Sequence, residues 1–260
     1  MSNVVAIRRT PKISDPAEVS AIIVAGSGGA ATTTTAFGLA TALRIGTSQD
    51  VCAVDATTDG GNLLTRTGIG AIDPARSIRQ LGSRMAVTSS GVVIVGSGNA
   101  GLSTDPALVD ELLAARHSAR FFDVGTALRS PRLAPLIESG ASLVVVAPAR
   151  AEPLSRMRSA IQWLMSRYGP TTLGETIVVV SHQQPTPPVD LAPVRDALAP
   201  RVAGFVEVPF DGALTTPGVI DHRRLATATV DAWTDALDVL SAAMGTQHNQ
   251  STTRTGEQAR

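Results

Sequence analysis

The chain has one cysteine (Cys52), one lysine (Lys12), few aromatic side chains (3%) and no long apolar run. A lone cysteine in an apolar segment excludes a disulfide framework. His117, His182, His222 and His248 share no metal-ligand spacing with it or with one another. No stretch approaches the ~18 apolar residues of a membrane span, and the start, Met1 to Arg9, is too briefly apolar for a signal peptide. A formal net charge of zero and a pI near 6.9 supply no overall field to attract nucleic acid or an anionic membrane. The expectation is a soluble cytoplasmic protein. Arginine carries nearly all of the 22 basic side chains, a bias that GC-rich coding explains on a surface.

A hydrophobic fraction of 43% with so few aromatics means a core of Ala, Val, Leu and Ile. That suits strands buried on both faces beneath Ala-rich helices. Short apolar runs at Ala21–Ala25, Val51–Asp55, Val92–Val95, Ala119–Asp123, Leu143–Val146, Thr176–Val180 and Phe205–Val208 read as strands. Helical stretches alternate with them: Thr33 to Arg44, Pro74 to Arg84, Pro106 to Arg116, Glu152 to Tyr168, Val189 to Ala199 and Arg223 to Met244. The pattern predicts an α/β fold, a doubly wound, mostly parallel sheet with helices on both faces, in a single domain over 20–245. Residues 1–19, with Arg8, Arg9 and Lys12, read as a solvated arm, and the polar stretch 246–260 as a disordered tail. In the last helix Ala226, Val230, Trp233, Leu237, Leu240 and Met244 form one apolar stripe, read as core packing. Asp231, Asp235 and Asp238 lie off it.

Ligands of such sheets lie beyond the carboxyl ends of the strands. There the chain places Gly26, Ser27, Gly28, Gly29, Ala30, Ala31, Thr32, Thr33 and Thr34, directly after the first strand. Strand, glycine-rich turn and helix are the layout of a phosphate-binding loop. Against G-x-x-x-x-G-K-[ST], Gly26 and Thr33 are kept. Ala31 stands for the second glycine and Thr32 for the lysine. If the loop needs positive φ at Ala31, the side chain adds strain of ~1–2 kcal/mol. Asp55 and Asp123, each closing a strand, should gather at the same edge with Gly26 and Ser181.

With these residues the chain resembles the ParA/MinD family of bacterial positioning ATPases, whose loop reads K-G-G-x-G-K-T-T. The stretch Val54-Asp55-Ala56-Thr57-Thr58-Asp59-Gly60-Gly61-Asn62-Leu63 is similar to the family's first switch, D-x-D-x-Q-G-x-N-L. Phe121-Phe122-Asp123-Val124-Gly125 is similar to its Walker B strand, and Val208-Pro209-Phe210-Asp211 to the V-P-x-D segment near the nucleotide base. The resemblance spans Ser20 to Met244 and implies a P-loop NTPase fold with a nucleotide site. That site would comprise Gly26–Thr34, Ser181, His182, Pro209 and Asp211. Thr33, Asp55 and Asp123 would be placed to hold Mg²⁺.

The departures fall on the family's working residues. Thr32 and Ser27 occupy the positions of its two P-loop lysines, Thr57 that of the aspartate which positions water, and Ser181 or His182 that of the base-reading asparagine. Charge-assisted hydrogen bonds are worth ~1.5–3 kcal/mol each, and phosphoryl transfer depends on positioned positive charge. The expectation is therefore a pseudo-ATPase with no catalytic residue, Asp55 and Asp123 being vestigial, and with weak or lost affinity for ATP and Mg²⁺. It would serve as a scaffold or regulatory partner in positioning, secretion, pilus or conjugation machinery, as a homodimer or as the mate of a related ATPase. Two other readings stand beside it. One is an active ATPase using another cation: Arg66, Arg150, or Lys12 if the arm folds over the site. The helix places Arg44 ~16 Å from the loop, out of reach. The other is an ATP-independent DNA binder using Arg129/Arg132, Arg150, Arg156/Arg158 and Arg223/Arg224. The stretch His182 to Pro188 reads as a stiff proline-rich connector.

Overall fold

The computed structural model describes residues 9–13, 15–29, 31–58, 63–69, 85–96, 104–215 and 218–258. The helix expected over Pro74–Arg84, Ala30 of the loop and Asp59–Asn62 of the switch-like stretch lie outside these.

The strands are β1 (Ser20–Ala25), β2 (Val51–Asp55), β3 (Met85–Val87), β4 (Val93–Val95), β5 (Ala119–Asp123), β6 (Ser142–Pro148), β7 (Ile177–Ser181) and β8 (Gly204–Val208). They form one sheet in the order β3-β4-β2-β5-β1-β6-β7-β8. Every pairing is parallel except β3 with β4, which adds an antiparallel edge that the sequence reading lacks. The helices are α1 (Thr32–Gly46), α2 (Leu63–Thr67), α3 (Pro106–Ala114), α4 (Ala134–Glu138), α5 (Ala151–Gly174), α6 (Ala192–Leu198), α7 (Gly212–Thr215) and α8 (Thr227–Gln258).

Period-2 alternation divides the central strands between two cores. Ala21, Ile23, Ala53, Phe121, Val144, Val146 and Val179 pack with α1 and α8 on one face. Ile22, Val24, Val54, Phe122, Val145 and Val178 pack with α3, α4 and α5 on the other. Such two-sided burial is why these strands read as continuous apolar runs. α3 begins as the sequence predicts, with the Asp105 carboxylate accepting from the Ala107 N–H at 2.9 Å and Pro106 in the first turn. α5 continues past Tyr168 to Gly174 across a break at Gly169 (φ 87°), where Pro170 has no N–H to give the helix.

α8 differs from expectation at both ends. Ala226 lies exposed ahead of the helix and Leu225 is buried in its place, while Val230, Trp233, Leu237 and Leu240 form the buried stripe. Helical backbone runs on to Gln258, through most of the stretch expected to be disordered. Each residue added to an existing helix gains a hydrogen bond without repeating the nucleation step.

The acidic side of α8 receives the N-terminal segment. The Arg9 guanidinium pairs with Asp235 and Asp238, and the Lys12 N–H donates to Asp238 Oδ1 at 2.5 Å. Pro11 is buried against the end of α1, where a Cβ on Gly46 would stand 2.4 Å from its Cδ. The described part of the arm is therefore docked rather than solvated.

Candidate functional site

β1 ends at Ala25, β2 at Asp55, β5 at Asp123 and β7 at Ser181, which gathers Gly26, Asp55, Asp123 and Ser181 at the carboxyl edge of the sheet. Asp55 and Asp123 are register partners, and both are fully buried. The turn between β1 and α1 has the shape of a phosphate-binding loop. Gly29 (φ 69°) and Ala31 (φ 67°) are left-handed, so Ala31 carries the strain foreseen for it. Gly26 is required by space: a Cβ there would lie 2.7 Å from the backbone C and O of Arg156.

Behind the loop, Thr33 Oγ1 donates to Asp123 Oδ2 at 2.5 Å, and the Gly125 N–H donates to Asp123 Oδ1 at 3.2 Å. Thr57 donates to Asp55 Oδ1 through both its hydroxyl (2.7 Å) and its N–H (3.3 Å). Thr57 is thus tied to Asp55 in the position where the family's pattern has a second carboxylate. An all-oxygen set of one hydroxyl and two buried carboxylates has the chemistry Mg²⁺ prefers, so Thr33, Asp55 and Asp123 fit that ion. No cluster of three or more His, Cys, Asp or Glu able to hold a metal occurs among the described residues.

Above α1 lies a cavity of about 650 Å³, within the range of small-molecule sites. One wall is Gly29 and Ala31–Thr35, another Thr65 and Arg66 of α2. The far wall is Ser181, His182, Gln183, Pro209 and Asp211, with Leu214 and Trp233 beside them. Of the residues expected at a nucleotide site, Gly29, Ala31, Thr32, Thr33, Thr34, Ser181, His182, Pro209 and Asp211 line this space. Gly26, Ser27 and Gly28 do not. Gly26 borders a smaller cavity of about 390 Å³ on the other side of the loop, with Arg129 and Arg156.

Several lining groups are already committed. Asp211 accepts from the Ala213 N–H (2.9 Å) through Oδ1 and from the Ala226 N–H (2.8 Å) through Oδ2, pinning the turn before α8. His182 Nε2 pairs with Glu207 at 3.0 Å. The connector at Gln183 proves to be a contact: its side-chain amide donates to the Gly29 carbonyl at 3.0 Å. Thr32 occupies the lysine's place and lies on the cavity wall, nearly buried.

Arg66 is the one arginine or lysine among the described lining residues. Its guanidinium donates to the carbonyls of Gly218 (2.9 Å) and Leu214 (3.4 Å), and burial pushes its pKa down. Lys12 is held along α8, and Arg44 bonds the Gly91 carbonyl at the far end of α1. Arg150 is exposed at the start of α5 and does not line the cavity. The residues present fit magnesium but not the tail of a triphosphate.

Trp233 was read from sequence as core alone. It is 1% exposed and packs so closely on α1 that a Cβ on Gly38 would stand 2.3 Å from its Cε2, yet it also lines the cavity. The signal was Gly38 inside the apolar run Ala36–Ala40, an opening for a large ring on the facing helix.

No family model matches the sequence, and a search of curated proteins finds no match. Solved structures do match. The cell division ATPase MinD of Pyrococcus furiosus superposes with a TM-score of 0.61 at 18% identity, covering 87% of this chain and 98% of that one. A ParA family ATPase from Chlorobium tepidum gives 0.59 at 14% identity, over 88% and 98%. The MinC:MinD cell division complex of Aquifex aeolicus gives 0.55 at 14% identity, over 88% and 96%. The chain has the P-loop fold of the MinD and ParA ATPases.

Proposed function

We propose that this protein is a ParA/MinD-like scaffold or regulator that keeps the shape of a nucleotide site and has given up phosphoryl transfer. One observation carries the reading: Thr32 stands on the cavity wall in the lysine's place, and no lysine or arginine of the loop or of α1 replaces its charge. Transfer of a phosphoryl group is stabilised almost wholly by placed positive charge and by positioning. An intact fold therefore does not compensate for the missing cation. Function then passes through protein contacts, with a second copy, a related ATPase or another component of a positioning or secretion machine. The MinC:MinD complex supports this reading, since there a protein of this fold is joined to a different protein.

The second reading is an active ATPase, and it has one specific support: Arg66 reaches the same cavity. Against it, that guanidinium already holds two backbone carbonyls.

The test is phosphate release from Mg·ATP by the purified full chain, beside Asp55→Ala and Arg66→Ala. The expected result is release at the buffer rate for all three. Turnover in the wild type that disappears in Asp55→Ala overturns the proposal. Loss in Arg66→Ala as well would make Arg66 the replacement cation.

A further inference from the structure

Two half-exposed aromatic rings stand together on α5. Trp163 and Tyr168 meet edge to face, with ring centroids 5.8 Å apart. Arg129, from the turn after β5, holds its guanidinium carbon 5.9 Å from the Trp163 centroid, and that of Arg167 lies 5.2 Å from the Tyr168 centroid. Both rings pack partly on the core beneath α5 and leave the rest of their surface in solvent. Tryptophan, tyrosine and arginine are the side chains enriched where proteins meet and where the binding energy concentrates.

The cluster continues into a cavity. The space of about 390 Å³ beside Gly26 is lined by both Arg129 and Arg156, with the hydroxyl residues Thr126, Ser130 and Ser159. No carboxylate is among its described lining residues. Glu152 bonds Arg156 from outside, but the two side chains are 72% and 59% exposed, and such a pair contributes little. Glu138 is a second carboxylate nearby, close to Tyr168. Arg156, Ser159, Trp163 and Arg167 follow one another at steps of three and four, so they share one face of α5. That face reads cation, hydroxyl, ring, cation. At ~1.5 Å per residue its two arginines stand about 16 Å apart along the helix.

We infer that this face docks an extended acidic segment of a partner protein, with two carboxylates about five residues apart and an apolar side chain between them. A strand rises ~3.3 Å per residue, so five residues cover the distance between the arginines. The first carboxylate enters the cavity between Arg129 and Arg156, where planar guanidinium groups offer paired N–H donors and the hydroxyls add more. The apolar side chain rests on Trp163, and the second carboxylate meets Arg167. Charge complementarity sets the class of partner. A nucleic acid fits less well, because base stacking needs an open ring face and an arginine lies over each ring here. The inference deepens the reading above, in which function passes through protein contacts, by naming the surface and the chemistry it recognises.

The test uses the full chain and blocked peptides of sequence ESLSSE, QSLSSQ and SEELSS. The second removes both charges, and the third keeps the composition but brings the acids together. Binding is followed by calorimetry and by tryptophan emission, whose response Trp163→Phe should abolish. ESLSSE is expected to bind at least about tenfold more tightly than QSLSSQ, and more tightly than SEELSS. Arg129→Ala and Arg167→Ala are each expected to weaken it about fivefold. Arg201→Ala, exposed beyond α6, leaves it unchanged. Arg129 and Arg167 are exposed, so their replacement keeps the fold.

Four results overturn the inference: no binding of ESLSSE at millimolar concentration, equal binding of QSLSSQ, equal binding of SEELSS, or affinity unmoved in both arginine variants. Tighter binding of a short DNA duplex, lost in the same two variants, would make the face a nucleic-acid surface and overturns it as well. Each of these leaves the non-hydrolysing reading standing. Phosphate release from Mg·ATP counts against that reading alone and leaves the peptide result as measured.

Discussion

Thr32 and Thr33 are neighbours at the start of one helix and both line the cavity, but Thr33 is also tied to the carboxylate behind the loop. Thr33 joins the cavity to the buried half. Its hydroxyl donates to Asp123 at 2.5 Å, in register with Asp55 and beneath a loop held by Gly26 against the Arg156 backbone. Thr32 is nearly buried on the wall of the open half, a cavity of about 650 Å³ that has a hydroxyl where the family's pattern has a lysine. The first half is all packing and short hydrogen bonds. In the reading proposed above, the second depends on charge, and Thr32 supplies none. A phosphate-binding loop therefore has two separable properties. Its shape comes from glycine clearance, left-handed turns and the strand ends below, and its affinity is added by side chains that the shape does not need.

The largest effects should follow from disturbing shape. Trp233→Ala removes a fully buried ring seated against Gly38, and the expected loss is about 3–5 kcal/mol in urea unfolding. An unchanged midpoint would mean that the α1–α8 contact does not hold the loop's helix in place. Gly26→Ala pushes a Cβ to within 2.7 Å of the α5 backbone, which has no flexible end to give way. A destabilisation of about 1–3 kcal/mol is expected in the same assay.

A smaller effect of opposite sign separates strain from charge. Ala31→Gly relieves the left-handed backbone at φ 67°, worth ~1–2 kcal/mol, against the ~0.4–1 kcal/mol that glycine's freer unfolded chain takes back. The variant should melt slightly higher than the wild type and gain nothing in phosphate release. A lower melting temperature would show that the alanine is accommodated without strain.

The smallest contrast concerns Cys52, on β2 just before Asp55. Burial pushes its thiol up to about 11, so at neutral pH almost none of it is the reactive thiolate. Alkylation of the folded chain should be slow, fast once urea opens the sheet, and unaltered by Ala31→Gly. Rapid labelling of the native chain would place the weak point in the frame rather than in the cavity.

The parts of this molecule that rest on local pattern were legible in the sequence. Asp55 and Asp123 were readable because each ends an apolar run buried on both faces. The loop was readable because glycines follow β1 and a hydroxyl opens α1. Positive φ at Ala31 was readable because the glycine pattern demands it. Contacts between segments distant in the chain were not. Asp211 looks like a ligand group in sequence, yet its oxygens serve the N–H groups of Ala213 and Ala226. Gln183 looks like connector and instead bonds Gly29. Arg9 looks solvated because its partners, Asp235 and Asp238, lie at the other end of the chain. β3 has only three residues and pairs antiparallel at the edge, too short to show a period. Trp233 fitted a helical stripe so well that its second role as a cavity wall had no signal beyond Gly38.

The central claim is that this loop has the shape for phosphate and lacks only the charge. It is tested most directly by titrating Mg·ATP into the wild type and into the Ala31→Gly, Thr32→Lys double variant under identical conditions. A restored ammonium group is worth ~1.5–3 kcal/mol, so the double variant is expected to bind Mg·ATP at least about tenfold more tightly than the wild type. Micromolar binding by the wild type with no gain in the double variant would contradict the account.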